Sequence, residues 1–63
     1  MRTLFWDIDT HEVIKEVKGL VPLGYNSFVT INGKVYDSFG ATYDFDNETS
    51  NIKVWLNPEH QNL

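Results

Sequence analysis

The sequence predicts an all-β domain of five to six short antiparallel strands, paired in hairpins as a small meander sheet or barrel. Three observations predict it: apolar and polar residues alternate, an Asn-Gly pair separates two β-branched runs, and turn residues recur at about 8–12-residue intervals. Sixty-three residues make one domain over 1–63, and the absence of cysteine excludes disulfides and thiolate metal sites. Four Phe, three Tyr and two Trp must therefore supply much of the core.

Residues 3–8 alternate as a first strand. The alternation predicts that Leu4, Trp6 and Ile8 face the core and that Phe5 lies on the opposite face. Two interpretations remain open for the next segment. In the first, 9–12 is a hairpin turn with His11 in the left-handed conformation, and 12–18 is the return strand. In the second, 10–18 is a helix and the fold is α+β. The β-branched residues in this segment favour the hairpin.

The Asn32-Gly33 pair gives the firmest prediction, a type I′ hairpin turn between strands 27–31 and 34–38. A two-residue loop pairs Ile31 with Lys34 and, farther from the turn, Thr30 with Val35 and Val29 with Tyr36.

The C-terminal half continues the alternation. Residues 39–45 form a further predicted strand with a bulge at Gly40, and 46–51 form a polar turn. The last strand, 52–56, places Ile52, Val54 and Leu56 on one apolar face. Pro58 ends that strand, so 57–63 is predicted to be a frayed tail.

The net charge of −4 lies entirely after residue 34, because 1–34 carry four basic and four acidic residues. The candidate acidic patch comprises Asp37, Asp44, Asp46 and Glu48. An acidic field opposes phosphate, so direct nucleic-acid binding is not expected. A decoy that mimics nucleic acid is the alternative function. No signal-peptide pattern and no apolar stretch of membrane-spanning length occur, which predicts a cytoplasmic protein without membrane contact.

Two acidic motifs resemble known sites. Asp7 and Asp9 after an apolar strand resemble the nucleophile motif of haloacid-dehalogenase-type phosphatases, which implies that Asp7 attacks phosphorus and that Asp9 acts as the acid/base. His11 departs from that motif, and the rest of that fold exceeds this chain. The 44–48 segment resembles an EF-hand loop, but Thr49 and Trp55 replace the required Gly and Glu. We therefore expect no enzyme, cofactor or metal site, with a metal-assisted hydrolase at these acids as a lesser alternative.

The aromatic residues outside the predicted core stripes are the candidate partner-binding residues: Phe5, Tyr25, Phe28 and Trp55. Aromatic anchors dominate protein interfaces, and a free strand edge can accept a partner strand. The sequence therefore predicts a small protein-binding module or inhibitor whose partner is another protein or a second copy of the chain. The compact 29–36 hairpin, the lack of cysteine and the short length resemble small β proteins encoded by bacteria and their phages or prophages.

Overall fold

In the computed structural model, which describes residues 1–23 and 27–61, five strands form one curled half-barrel sheet. The strands are β1 (Arg2–Asp7), β2 (Glu12–Lys18), β3 (Phe28–Ile31), β4 (Lys34–Asp44) and β5 (Thr49–Leu56), in the spatial order β2-β1-β5-β4-β3. The all-β prediction is confirmed. The α+β alternative is wrong, because residues 12–18 form β2 and the described residues contain no α-helix.

The first hairpin joins β1 to β2 through the predicted left-handed histidine. His11 has a φ of 59°, and its N–H donates to the carbonyl oxygen of Asp7 at 2.8 Å. The Asp7 carboxylate also accepts the N–H of Asp9 at 2.8 Å. These two bonds satisfy backbone groups of the turn, and so the β-branched residues that follow return as a strand instead of starting a helix.

One pairing differs from the expected antiparallel meander. β1 runs parallel to β5, with Arg2 opposite Thr49 at one end and Asp7 opposite Val54 at the other. Parallel strands need a long connection, and here residues 8–48 provide it. The expectation of purely antiparallel strands is therefore wrong at this pair, while the other three pairs are antiparallel.

The Asn32-Gly33 hairpin has the predicted geometry. Both central residues have positive φ, 52° at Asn32 and 78° at Gly33, as a type I′ turn requires. Ile31 lies opposite Lys34 and Val29 lies opposite Tyr36, so the predicted register is confirmed.

The predicted bulge at Gly40 is also confirmed, but it does not separate two strands. The register against β5 shifts between Ser38 and Ala41, and Gly40 has a φ of 86°. β4 continues through the bulge, so the segments predicted as strands 34–38 and 39–45 are one strand.

The core occupies the concave side of the sheet. Its buried residues are Phe5, Ile31, Tyr36, Ile52 and Val54. The predicted apolar face of β5 is confirmed. The predicted faces of β1 are reversed, because Phe5 is only 5% exposed while Leu4, Trp6 and Ile8 are half-buried.

Two buried hydroxyl groups anchor the connection between β2 and β3, and one of them, that of Thr3, lies on the face of β1 that is buried. Thr3 Oγ1 donates to the carbonyl of Gly19 at 2.7 Å and accepts the N–H of Val21 at 3.3 Å. Ser38 Oγ donates to the carbonyl of Ser27 at 2.8 Å. These buried hydroxyls hold both ends of the connection at the core, where its residues Val21 and Leu23 pack. Thr3 is thus a core residue despite its polarity.

Within the segment predicted as a frayed tail, 57–63, the residues that the structure describes form a turn that is hydrogen-bonded to the sheet. Asn57 is buried and caps a 3₁₀ turn at Pro58–His60, accepting the N–H of Glu59 at 2.9 Å. The Gln61 carboxamide then donates to the carbonyl of Val35 at 2.7 Å and accepts the N–H of Val35 at 3.0 Å. β5 ends before it reaches Val35 of β4, and the Gln61 side chain therefore bonds the Val35 backbone in place of a β5 residue.

We expect Gly33→Ala to lower the free energy of unfolding by about 1 kcal/mol, since an L side chain is strained at positive φ. A Cβ at this position would meet no atom within 4 Å, so the loss is conformational and not steric. Urea denaturation measures it. D-Alanine at the same position, introduced by chemical synthesis, should retain full stability; equal losses with both alanines would contradict the turn assignment.

Two matched serine substitutions test the role of the buried hydroxyls. Ser38→Ala should lower the free energy of unfolding by about 1 kcal/mol, because it removes the bond to the connection. Ser50 is equally buried, but its Oγ has no hydrogen-bond partner among the described residues. Ser50→Ala should therefore raise stability by about 1 kcal/mol. Urea denaturation of both variants would count against this account if the two changes had the same sign.

Candidate functional site

The sheet surface opposite the core carries two rows of large side chains. In the first row Phe28, Asp37 and Trp55 lie directly opposite one another on β3, β4 and β5. Ile8 extends this row, because its N–H donates to Val54 on β5.

In the second row Trp6 lies between Lys53 on β5 and Val13 on β2. Phe39 stands in the bulge beside Lys53. We call this surface the second face; it comprises Leu4, Trp6, Ile8, Val13, Phe28, Asp37, Phe39, Lys53 and Trp55.

The four candidate partner-binding residues do not share one location. Phe5 belongs to the core, so the prediction that it lies outside the core is wrong. Phe28 is 53% exposed and Trp55 is half-buried, and both lie on the second face. Tyr25 lies outside the described residues. The structure thus brings Phe28 and Trp55 to one surface.

Sequence reasoning missed Trp6, Ile8 and Phe39. Alternation showed that Trp6 and Ile8 share a face but assigned that face to the core, because it is the more apolar one. The two faces of β1 are distinguished by the hydrogen bonds between Thr3 and the connection that follows β2, and no local sequence pattern reveals those bonds. For Phe39, the bulge at Gly40 changes which side chains point outward after Ser38.

A groove of about 470 Å³ opens on the second face around Trp6. The Trp6 indole Nε1 donates to Asn51 Oδ1 at 2.9 Å, and Asn51 Nδ2 in turn donates to Thr49 Oγ1 at 3.2 Å. These bonds fix the position of the indole ring. The groove is lined by Trp6, Asp7, Ile8, His11, Thr42, Asn51 and Lys53.

The 3₁₀ turn at Pro58–His60, which we call the C-terminal turn, bounds the second face at the end opposite the groove. His60 Nδ1 lies 2.8 Å from Asp37 Oδ1, and the His60 ring contacts Phe28 edge-on with centroids 4.8 Å apart. Asn57 Nδ2 donates to Asp37 Oδ2 at 3.0 Å. The hydrogen bond from Asn57, followed by the bond with His60, lowers the pKa of Asp37 from its ordinary value.

The candidate acidic patch is divided in the structure. Asp44, Asp46 and Glu48 lie at the turn between β4 and β5, whereas Asp37 lies on β4 beside the C-terminal turn. Asp44 Oδ1 accepts the N–H groups of Asp46 and Asn47 at 3.1 and 3.2 Å. The side-chain hydrogen bond from Asn47, followed by that from its backbone N–H, lowers the pKa of Asp44. This carboxylate therefore stabilises its own turn.

The acids of the two motif resemblances are engaged in similar turns. Asp7 Oδ1 accepts N–H groups from Asp9 and Thr10, as Asp44 does in its own turn. Across residues 1–23 and 27–61, no three His, Asp or Glu side chains are grouped to hold a metal ion.

Comparison with protein families, curated protein sequences and solved structures finds no match to this chain. In the described part of the chain, no helix has the length and apolar character needed to cross a membrane.

The contact between Asp37 and the C-terminal turn should make stability depend on pH in the acid range. A carboxyl group with a folded-state pKa below its unfolded value stabilises the fold above the unfolded pKa, about 3.9, and loses this contribution as pH falls through the folded value. We therefore expect Asp37→Asn to be less stable than the parent protein near pH 6, with the difference shrinking as pH falls from the unfolded pKa through the lower folded value.

Urea denaturation across this pH range measures that difference. Asp46→Asn is the charge-matched control, because the Asp46 carboxylate accepts no hydrogen bond from the described residues. A pH-independent difference between Asp37→Asn and the parent protein would show that the ionised carboxylate is not the stabilising species.

Proposed function

We propose that this chain is a small protein-binding module that contacts its partner through the second face. The observation that carries the proposal is the concentration of aromatic and aliphatic side chains from all five strands on that face. A single sheet normally buries both apolar surfaces against another layer. In the described chain, the connection between β2 and β3 supplies that layer for the core side.

The kinds of residue on the second face support an interface. Trp6, Phe39 and Trp55 are residues of the type that anchors protein complexes, and partly buried aromatics lose little conformational freedom when a partner covers them. The indole of Trp6 is already fixed by Asn51, so a partner meets a preformed surface.

The partner we propose is another protein, and inhibition of that protein is one consequence of such binding. The arrangement supports binding without catalysis, because the Asp7 and Asp44 carboxylates are used in their turns. A second copy of this chain is the alternative occupant, and the oligomeric state in solution distinguishes it.

We expect Phe39→Ala to weaken partner binding by tenfold or more, about 1.4 kcal/mol, because it removes an exposed anchor from the second face. The matched control is Phe45→Ala. Phe45 is 78% exposed and stacks on Tyr43 at the turn between β4 and β5, at the opposite end of β4 from the C-terminal turn. This control should leave binding within about twofold.

The measurement is affinity capture from lysate with all three proteins, followed by titration of whatever the parent protein retains. Sedimentation of the purified protein runs in parallel and reports self-association. A monomeric protein that retains no partner, or a partner whose affinity depends on Phe45 and not on Phe39, would overturn the proposal.

A further inference from the structure

We propose that the groove at Trp6 and Lys53 binds a segment of the partner in which an aromatic side chain lies next to an acidic side chain. This inference rests on the proposed function and specifies the chemistry of the partner.

The shape and floor of the groove select an apolar anchor. Its volume of about 470 Å³ lies within the range of pockets that enclose ligands, about 300–1,000 Å³. Trp6 and Ile8 supply its apolar surface, and the bond to Asn51 satisfies the indole N–H within the chain. The ring of Trp6 therefore meets a partner through apolar contact, which an aromatic side chain complements by stacking.

The charge of Lys53 favours an acidic residue next to the aromatic side chain of the partner segment. Lys53 lines the groove, is exposed, and forms no ion pair with any carboxylate in the described chain. Asp7 also lines the groove, but its Oδ1 accepts two backbone N–H groups. His11 adds a ring that can donate a hydrogen bond in either tautomer. The groove thus offers an ammonium group with no ion-pair partner in the described chain beside an apolar floor, and a carboxylate next to an aromatic anchor complements this arrangement.

The backbone around the groove favours an acidic side chain over a chain-terminal carboxylate. Terminal carboxylates are captured by clusters of free backbone N–H groups. β1, β4 and β5 are interior strands of the sheet, and each pairs with a neighbour on both sides. Their backbone N–H groups are used in those ladders. Side chains such as Lys53 and His11 are the donors that remain, and they suit a carboxylate held at a distance from the partner's backbone.

Titration by two-dimensional NMR tests the inference on the full chain with three probe peptides. The first is a blocked tetrapeptide that carries phenylalanine next to glutamate, and the second replaces the glutamate by glutamine. The third lacks the acidic residue and ends at the phenylalanine with a free carboxylate. We expect the first to shift the Trp6 indole resonance and to bind about threefold more tightly than the other two, the gain that a partly exposed ion pair supplies.

The variant Lys53→Gln should abolish that threefold preference and leave the glutamine peptide unaffected. Lys34→Gln, at the Asn32-Gly33 turn, is the matched control and should retain the preference. Both positions are exposed, so both variants should fold, and their NMR spectra verify it. Raising the ionic strength should reduce the preference in the parent protein.

Equal binding of the three peptides, no shift of the Trp6 resonance, or tighter binding of the chain-terminal carboxylate would each overturn the inference. None of these results touches the proposed function, which fails on Phe39 and Phe45 in the capture experiment. The two failures are therefore distinguishable.

Discussion

The parallel pairing of β1 with β5 is the contact on which the rest of the structure depends. It joins the β1–β2 hairpin to the three-stranded unit of β3, β4 and β5. An isolated two-stranded hairpin is at best marginally stable in water. At this junction Phe5 lies opposite Ile52, and Ile52 is fully buried. Burial of these side chains compensates for closing the long loop between the two strands, and it fixes which face of every strand points to the core.

Once β1 pairs with β5, the chain forms one sheet with two faces and has few residues outside the strands to cover them. The connection after β2 is held to the core side by Thr3 and Ser38, and so its apolar residues Val21 and Leu23 cover the concave surface. The second face receives the remaining large side chains, among them Trp6 and Phe39. The same hydroxyl groups that order the core therefore determine which apolar surface the connection leaves uncovered.

The sequence allowed the local parts of this fold to be predicted. Asn32-Gly33 determined a turn and a register because both depend on the φ preferences of two adjacent residues. His11 and Gly40 were interpretable for the same reason. The pairing of β1 with β5 has no local signal, since its partners are more than forty residues apart. Without that pairing, the more apolar stripe of β1 is the natural choice for the core, and Phe5 and Trp6 are assigned to the wrong sides.

The candidate site could be predicted only in part, for a related reason. Phe28 and Trp55 were correctly placed outside the core, because they alternate with residues whose burial is clear. Trp6 and Phe39 depend on the β1 face and on the bulge, so they required the structure. The C-terminal turn was not predicted either. Gln61 binds the backbone of Val35 through its carboxamide, in the place of a neighbouring strand, and such a contact leaves no periodic pattern in the sequence.

The charged groups on and beside the second face differ in whether the chain itself provides a partner for them. Arg2 is paired with Glu16 at 3.1 Å, and Asp37 contacts His60 and Asn57. Each of these groups contacts a polar or oppositely charged residue of the same chain, whereas Lys53 forms no ion pair in the described residues and lies beside Trp6. A partner that covers this position would desolvate the ammonium group, and an unpaired buried charge is costly. A covering surface that brings a carboxylate to Lys53 would avoid this cost, whereas one without a carboxylate would have to leave the ammonium group in water.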